Sequence, residues 1–376
     1  MKETPYLLDS LTRGIDVIHL LAQLRDEPVS LAELSRQARI NKTTVLRILR
    51  TLEHKGWAVQ TAPGQFRLAV RFVENRLRRI GYSSRDNRLS FPGAVTASIQ
   101  RTAAENGVGI LSLDNRSSNA QTIRNAERMI RERVDCAVVF QAESTTGAEL
   151  SSLFNESAIP LISIDMAVAG ASYFGADNYS AGLSAGRAMA RALTETGRDR
   201  VEEILLVGNL QFGSLPAARL NGFLKAFEKH YRHFAGIAVS ALDSRGSFET
   251  GIRLLRKKMR TTQRRNGMVV CVSDPLAMGA IPAIEEAGRA KGWLVWSFGG
   301  APDVRMELRR SGSPLVGVVG FGPEQYGPQI WKMVSSLMEG QPSQPAIFAK
   351  MKVLTRDNID SLYPHDLELM GSPTRT

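Results

Sequence analysis

The sequence predicts an α/β protein in two parts, an N-terminal winged helix-turn-helix and then a two-lobed Rossmann-like unit, on three observations. At 376 residues the chain is longer than one hydrophobic core ordinarily serves, because chains beyond about 250–300 residues divide into domains. The apolar pattern changes near residue 79, from short helical repeats to apolar runs alternating with amphipathic stretches. The charge is also uneven. Of a net +11, residues 1–80 hold 14 Lys and Arg against 8 Asp and Glu, so over half of the excess lies in about a fifth of the chain. With 43% hydrophobic and 23% charged residues, the chain has ample material for packed cores, which excludes a disordered protein.

The first part reads as three helices and a hairpin. Ser10 is placed to cap a helix whose buried stripe is Ile15, Ile18, Leu20, Leu21 and Leu24, ending before Asp26-Glu27-Pro28. Ser30 and Glu33 have capping-box spacing ahead of Leu31, Ala32 and Leu34. Asn41 caps a third helix running to about Lys55, with Val45, Ile48, Leu49 and Leu52 inward and Gly56 ending it. Residues 57–60 and 65–69 alternate in polarity around Ala62-Pro63-Gly64, a hairpin signature. The polar residues of the third helix separate from the apolar ones. Asn41, Lys42, Thr43, Thr44, Arg47 and Arg50 occupy its N-terminal half or outer face, where amide, hydroxyl and guanidinium groups reach base edges and phosphates. Arg67, with Gln65 at the hairpin tip, is placed against the neighbouring DNA backbone or minor groove. Such modules also serve protein–protein contact; the basic outer face favours double-stranded DNA.

From residue 79 the expected strands are 80–83, 108–113, 135–140, 160–164, 204–207, 237–242, 268–272, 294–298 and 315–319, with helices between them. That repetition argues for parallel, doubly wound sheets, too many strands for one sheet, and a ligand cleft at the carboxyl ends. The connector 71–78 is short and basic, and 361–376 is expected to be a loose tail. Cys136 and Cys271 lie in apolar runs and read as small hydrophobes, with no disulfide or metal spacing. His230 and His233, three apart on a basic helix end, read as a surface pair rather than metal ligands. No G-x-x-x-x-G-K-[ST], G-x-S-x-G or H-E-x-x-H motif occurs, and Gly107-Val108-Gly109 precedes a strand instead of following one. Neither enzyme activity, a cofactor nor a metal is expected. The start Met-Lys-Glu-Thr-Pro-Tyr has no apolar signal segment and no apolar run is long enough to span a bilayer, so the expected location is cytoplasmic, with no membrane partner.

Two resemblances add to this reading. Arg13-Gly14-Ile15-Asp16-Val17-Ile18, Ser30-Leu31-Ala32-Glu33-Leu34, the run from Asn41 to Leu52, Gly56 and Gln65-Phe66-Arg67-Leu68 resemble the winged helix of the IclR family over about residues 7–73. Ile80-Gly81-Tyr82-Ser83, Ile162-Ser163-Ile164-Asp165, Ala176-Asp177-Asn178, Arg219-Leu220-Asn221-Gly222-Phe223, Asp274-Pro275-Leu276-Ala277 and Leu354-Thr355-Arg356-Asp357-Asn358 resemble the periplasmic-binding-protein-like sensor of LacI/GalR regulators and ribose-type binding proteins. The second resemblance spans about residues 79–360. The pairing is unusual, since each half normally accompanies a different partner domain.

Together the resemblances imply a DNA-binding domain over 1–75 and an effector domain over 79–360, with lobe 1 at about 79–177 and 322–350 and lobe 2 at about 178–320. They also imply an effector pocket at Phe91, Asp165, Met166, Arg219, Ser273 and Phe321. Against sugar-binding relatives, Leu89-Ser90-Phe91-Pro92 keeps one aromatic and loses an amide. Met166 replaces an arginine, Ser273 an asparagine, Gly299 an aspartate and Phe321 a glutamine. Unpaired buried hydroxyls cost about 1–3 kcal/mol each, so this poorer polar ring points away from a simple aldose, toward a glycoside, a less hydroxylated relative or a stacked planar ring. The expected protein is a transcription regulator, read as a repressor and a homodimer, whose lobes close near Asp177, Phe321 and Lys352. A cytoplasmic small-molecule-binding protein whose winged helix serves protein–protein contact and an effector-independent DNA-binding regulator are the competing readings; the missing signal segment and the attached winged helix argue against a free solute-binding protein.

Overall fold

The computed structural model describes residues 8–23, 27–69, 79–141, 146–195, 200–208, 214–245, 247–339 and 345–366. The chain divides into two compact units, Met1–Arg76 and Leu77–Thr376.

The first unit runs α1 (Asp9–Gln23), β1 (Val29–Ser30), α2 (Leu31–Ala38), α3 (Lys42–His54), β2 (Ala58–Ala62) and β3 (Gln65–Leu68). The strands form an antiparallel sheet in the order β1-β3-β2, with Val29 opposite Phe66 and Gly64 at φ +72° in the turn. Val17, Leu21, Leu34, Val45, Leu49 and Phe66 make its core. Three local expectations need correction. Ser10 lies inside α1, and the first turn is closed instead by Leu11 N–H and Thr12 N–H donating to the Leu8 carbonyl. The α1 stripe turns about Val17 and Leu21, leaving Ile15 43% exposed, while Leu24 falls outside the described residues. The capping box is one-sided. Glu33 N–H donates to Ser30 Oγ at 3.1 Å, but the Glu33 carboxylate accepts from Arg36 at 2.6 Å and Gln37 at 2.6 Å, because two nearby donors on the helix surface outcompete a backbone amide.

The second unit contains β4 (Arg79–Ser84), α4 (Ser90–Glu105), β5 (Gly109–Asp114), α5 (Asn119–Arg131), β6 (Cys136–Phe140), α6 (Gly147–Glu156), β7 (Leu161–Ile164) and β8 (Ser172–Gly175). It continues with α7 (Asn178–Glu195), β9 (Glu203–Gly208), α8 (Ser214–His230), β10 (Ala238–Asp243), α9 (Phe248–Thr261), β11 (Gly267–Cys271), α10 (Asp274–Glu286), β12 (Trp293–Gly299), α11 (Pro302–Arg309) and β13 (Leu315–Gly320). After a single 3-10 turn (Pro323–Gln325) come α12 (Tyr326–Met338), β14 (Ala346–Phe348), β15 (Lys352–Leu354) and α13 (Ile359–Leu362). Lobe 1 is a parallel sheet ordered β14-β8-β7-β6-β4-β5; lobe 2 is ordered β10-β9-β11-β12-β13-β15, parallel except for β15. The strand order reverses between β4 and β6 in one lobe and between β9 and β11 in the other, and such switch points open crevices at the carboxyl ends. The chain passes between lobes three times, after β8, after β13 and between β14 and β15.

All nine expected strands are present; β8, β14 and β15 were not anticipated, the last two being three residues long with partly exposed faces that give no apolar run. The connector 71–78 lies outside the described residues. The loose tail is corrected as far as residue 366. Arg305 donates to both carboxylate oxygens of Asp366, at 2.8 and 2.9 Å, Arg309 adds a third bond at 3.0 Å, and the Arg305 guanidinium lies 4.1 Å from the Tyr363 ring. Cys136 and Cys271 are free and buried, and burial pushes the Cys136 thiol up to about 12.

Candidate nucleic-acid interface and ligand cleft

In α3 the Asn41 side-chain oxygen accepts from Thr44 N–H at 2.8 Å, fixing the helix start and leaving the side-chain amide nitrogen outward. Asn41, Lys42, Thr43 and Arg47 are exposed and Thr44 is half-buried, opposite the buried Val45, Leu49 and Leu52. Neither Lys42 nor Arg47 is ion-paired among the described residues. Arg50 is exposed but engaged: it meets Glu53 at 2.6 Å and lies 6.0 Å from the Phe66 ring of β3. Arg67, on the same strand, is half-buried and its Nη1 donates to the Leu68 carbonyl at 3.2 Å. The helix thus presents an exposed, Asn41-capped N-terminus with two cations unpaired among the described residues, hydroxyls and an amide.

Asp165, Ser273 and Phe321 follow the carboxyl ends of β7, β11 and β13, while Phe91 and Arg219 come from α4 and α8. Asp165 directly follows β7 in left-handed backbone at φ +59°, a conformation that side chains other than glycine adopt at a cost. Its N–H donates to Phe174 O at 2.9 Å and its Oδ1 accepts from Ala176 N–H at 3.3 Å, so the carboxylate is turned to the crossing segment after β8. A Cβ on Gly175 would fall 2.5 Å from both Asp165 Oδ1 and Tyr173 Oη, so this glycine leaves the room that the two groups occupy. Burial raises the Asp165 carboxyl above its ordinary range, opposed by the charges of Arg219 and Arg85 and by the Ala176 amide.

Arg219 is held from three sides. Nε donates to Asn178 Oδ1 at 2.5 Å, Nη1 donates to the Val272 carbonyl at 2.7 Å, and the guanidinium lies 4.9 Å from the Phe321 ring. These contacts leave Nη2 uncommitted among the described residues. The close α7–α8 packing that delivers Arg219 depends on Gly182, where a Cβ would strike the Arg219 carbonyl oxygen and come 2.8 Å from Phe223 N. Desolvation lowers the Arg219 pKa, and the charge of Asp165 is the strongest influence opposing it.

Ser273, half-buried, follows the Val272 that anchors Arg219; Phe91, half-buried in the first turn of α4, meets Tyr326 edge-on at 5.6 Å. Asp274 serves the scaffold: Oδ1 accepts from Ser297 Oγ at 2.6 Å and Oδ2 from Ala301 N–H at 2.7 Å, and burial pushes its pKa up to about 6. A Cβ on Gly299, at φ +145°, would collide with the Asp274 carboxylate, so this glycine leaves the room that the carboxylate occupies. Met166, next along the chain, is buried and belongs to the apolar cluster of lobe 1 that includes Leu111, Met129 and Phe154. Asn178, Tyr173 and Tyr326 were not singled out as site residues. Asn178 at the start of α7 was the one with a signal, an amide beside the Asp177 turn.

Among described residues no helix is long and apolar enough to cross a membrane. Residues 80–342 match the model of the periplasmic binding protein domain, and residues 10–62 match the IclR helix-turn-helix domain. No curated protein matches the chain by sequence. Similar solved structures include a solute-binding protein of Bacillus halodurans with bound myo-inositol, with 18% identity over 78% of this chain and 99% of that one, TM-score 0.66. Another, from Actinobacillus succinogenes with bound D-allose, has 16% identity over 76% and 99%, TM-score 0.66. A third, from Mycobacterium smegmatis in complex with β-D-fucofuranose, has 18% identity over 78% and 96%, TM-score 0.66. At these identities they establish the two-lobed fold. The chain therefore belongs to the periplasmic-binding-protein domain family, with an IclR helix-turn-helix domain at its N-terminus, the make-up of a ligand-responsive DNA-binding regulator.

Proposed function

We propose that the protein is a cytoplasmic transcription repressor, acting as a homodimer, whose operator binding is set by a carbohydrate or carbohydrate-derived effector held between the lobes. One observation carries the reading: the same chain bears an exposed cationic face on α3 and, in its second unit, Asp165 at the end of β7 together with Arg219 of α8 held against the Phe321 ring. The first is suited to phosphates and base edges, the second to hydroxyls lying on aromatic faces. The residues proposed to meet DNA are Asn41, Lys42, Thr43, Thr44, Arg47, Arg50 and Arg67; those proposed to meet the effector are Phe91, Asp165, Arg219, Ser273 and Phe321. The repertoire of the structural relatives, which includes myo-inositol and D-allose, supports a polyhydroxylated effector. The part played by the protein is binding rather than catalysis. A thermal-shift screen against sugars, polyols, sugar acids, glycosides and nucleosides tests this reading, because a true ligand stabilises by mass action. The expected hit loses its effect in Asp165→Asn. A hit that stabilises the variant equally would remove the effector from this cleft.

A further inference from the structure

Tyr326 begins α12, just after the second passage between lobes, and is fully buried. Its ring is gripped edge-on by Phe91 at 5.6 Å and by Phe174 at 4.8 Å. Its backbone is pinned as well. Ser98 Oγ donates to the Glu324 carbonyl at 2.6 Å and accepts from Gly327 N–H at 3.0 Å, and a Cβ on Gly327 would come 2.5 Å from Thr102 Oγ1. The phenol is thus held in place, and its hydroxyl is buried with no hydrogen-bond partner among the described residues. The groups that act on it electrostatically are Asp165, Arg219 and Tyr173, which are the groups of the cleft. A buried hydroxyl left unpaired in a folded protein calls for a partner that arrives from outside the fold.

We propose that the Tyr326 hydroxyl is a direct hydrogen-bonding contact of the effector, selecting a polyhydroxylated ligand that places one oxygen at Tyr326 and another between Asp165 and Arg219. The proposal rests on the cleft being the effector site. It also supplies a polar group on the crossing segment where Phe321 provides none, so the ring of polar contacts is less depleted than the pocket positions implied by resemblance. Asp165 accepts from a ligand hydroxyl, the free Nη2 of Arg219 donates to one, and Tyr326 donates to or accepts from its neighbour.

Tyr326→Phe tests this, because it keeps the ring held by Phe91 and Phe174 and removes only the oxygen. Wild type, Tyr326→Phe and Asp165→Asn are melted without ligand, then titrated calorimetrically with myo-inositol, D-allose and allitol. Without ligand, Tyr326→Phe is expected to melt at or above the wild-type temperature, since no bond is lost. For a probe that binds wild type, its affinity is expected to fall about tenfold or more. Unchanged affinity in Tyr326→Phe with loss in Asp165→Asn overturns the proposal and leaves the cleft reading standing; unchanged affinity in both overturns the cleft reading. Should none of the three bind, the ligand-free melts decide: a Tyr326→Phe melt several degrees lower assigns the hydroxyl to a structural bond and overturns the proposal, and an equal or higher one upholds the unpaired hydroxyl on which it stands.

Discussion

The two polar surfaces of this protein are built on opposite terms. On α3, Lys42 and Arg47 are exposed and have no partner among the described residues, while in the cleft Arg219 is fixed by Asn178, the Val272 carbonyl and the Phe321 ring before any ligand arrives. An exposed cation costs little to maintain and finds DNA by long-range attraction; a desolvated one must be paired and oriented within the fold. The difference teaches that a substitution on α3 should change binding alone, whereas one in the cleft should change binding and stability together.

The largest expected effect breaks the cleft. Arg219→Met leaves Asn178 and the Val272 carbonyl without their donor, and should cost on the order of 3 kcal/mol in urea unfolding of the second unit, together with any effector-induced thermal shift. An unchanged unfolding midpoint would mean that the guanidinium is not structurally committed. Arg47→Ala should leave the melting temperature within a degree or so, yet weaken DNA binding by about 1–3 kcal/mol, with a salt dependence shallower by about one unit if its target is a phosphate. Anisotropy titrations at several salt concentrations measure both. Arg50→Ala should weaken DNA binding by less than about 1 kcal/mol, since Arg50 must first leave Glu53 to reach DNA; a loss equal to that of Arg47→Ala would show that the pair opens on the operator.

A last effect is a pH dependence. Asp274 has its pKa raised from 3.8 to about 6, chiefly by burial, so between these values the folded state holds a proton that the unfolded state releases. Stability from this group is therefore present in acid and is lost as pH rises through about 6. Urea midpoints measured from pH 4 to 7 should fall over that window in wild type relative to Asp274→Asn; parallel curves would contradict the assignment.

How much was legible follows the same contrast. The α3 residues were readable because helical periodicity alone separates Val45 and Leu49 from Lys42 and Arg47, and an N-cap such as Asn41 announces the helix start. The nine long apolar strands were readable for the same kind of reason. In the cleft, periodicity is silent. That Asp165 faces the crossing segment while Met166 is buried in the apolar cluster of lobe 1 leaves no pattern in sequence. Tyr326 was equally hidden, because its neighbours Phe91 and Phe174 come from segments more than 150 residues earlier. Exposed Ile15 shows the limit even on a helix: the stripe was found, but its centre lay one turn-face away, at Val17 and Leu21.

The central claim is that a ligand in the cleft governs DNA binding by α3. Its most direct test is anisotropy of a DNA fragment selected by the wild-type protein from a random pool, titrated with the compound that gives the largest thermal shift, in wild type, Asp165→Asn and Arg47→Ala. The account predicts that the compound changes wild-type DNA binding, that Asp165→Asn binds the fragment normally but ignores the compound, and that Arg47→Ala still binds the compound while losing the DNA. A compound that shifts DNA affinity equally in wild type and Asp165→Asn, or DNA affinity untouched by Arg47→Ala, would contradict it.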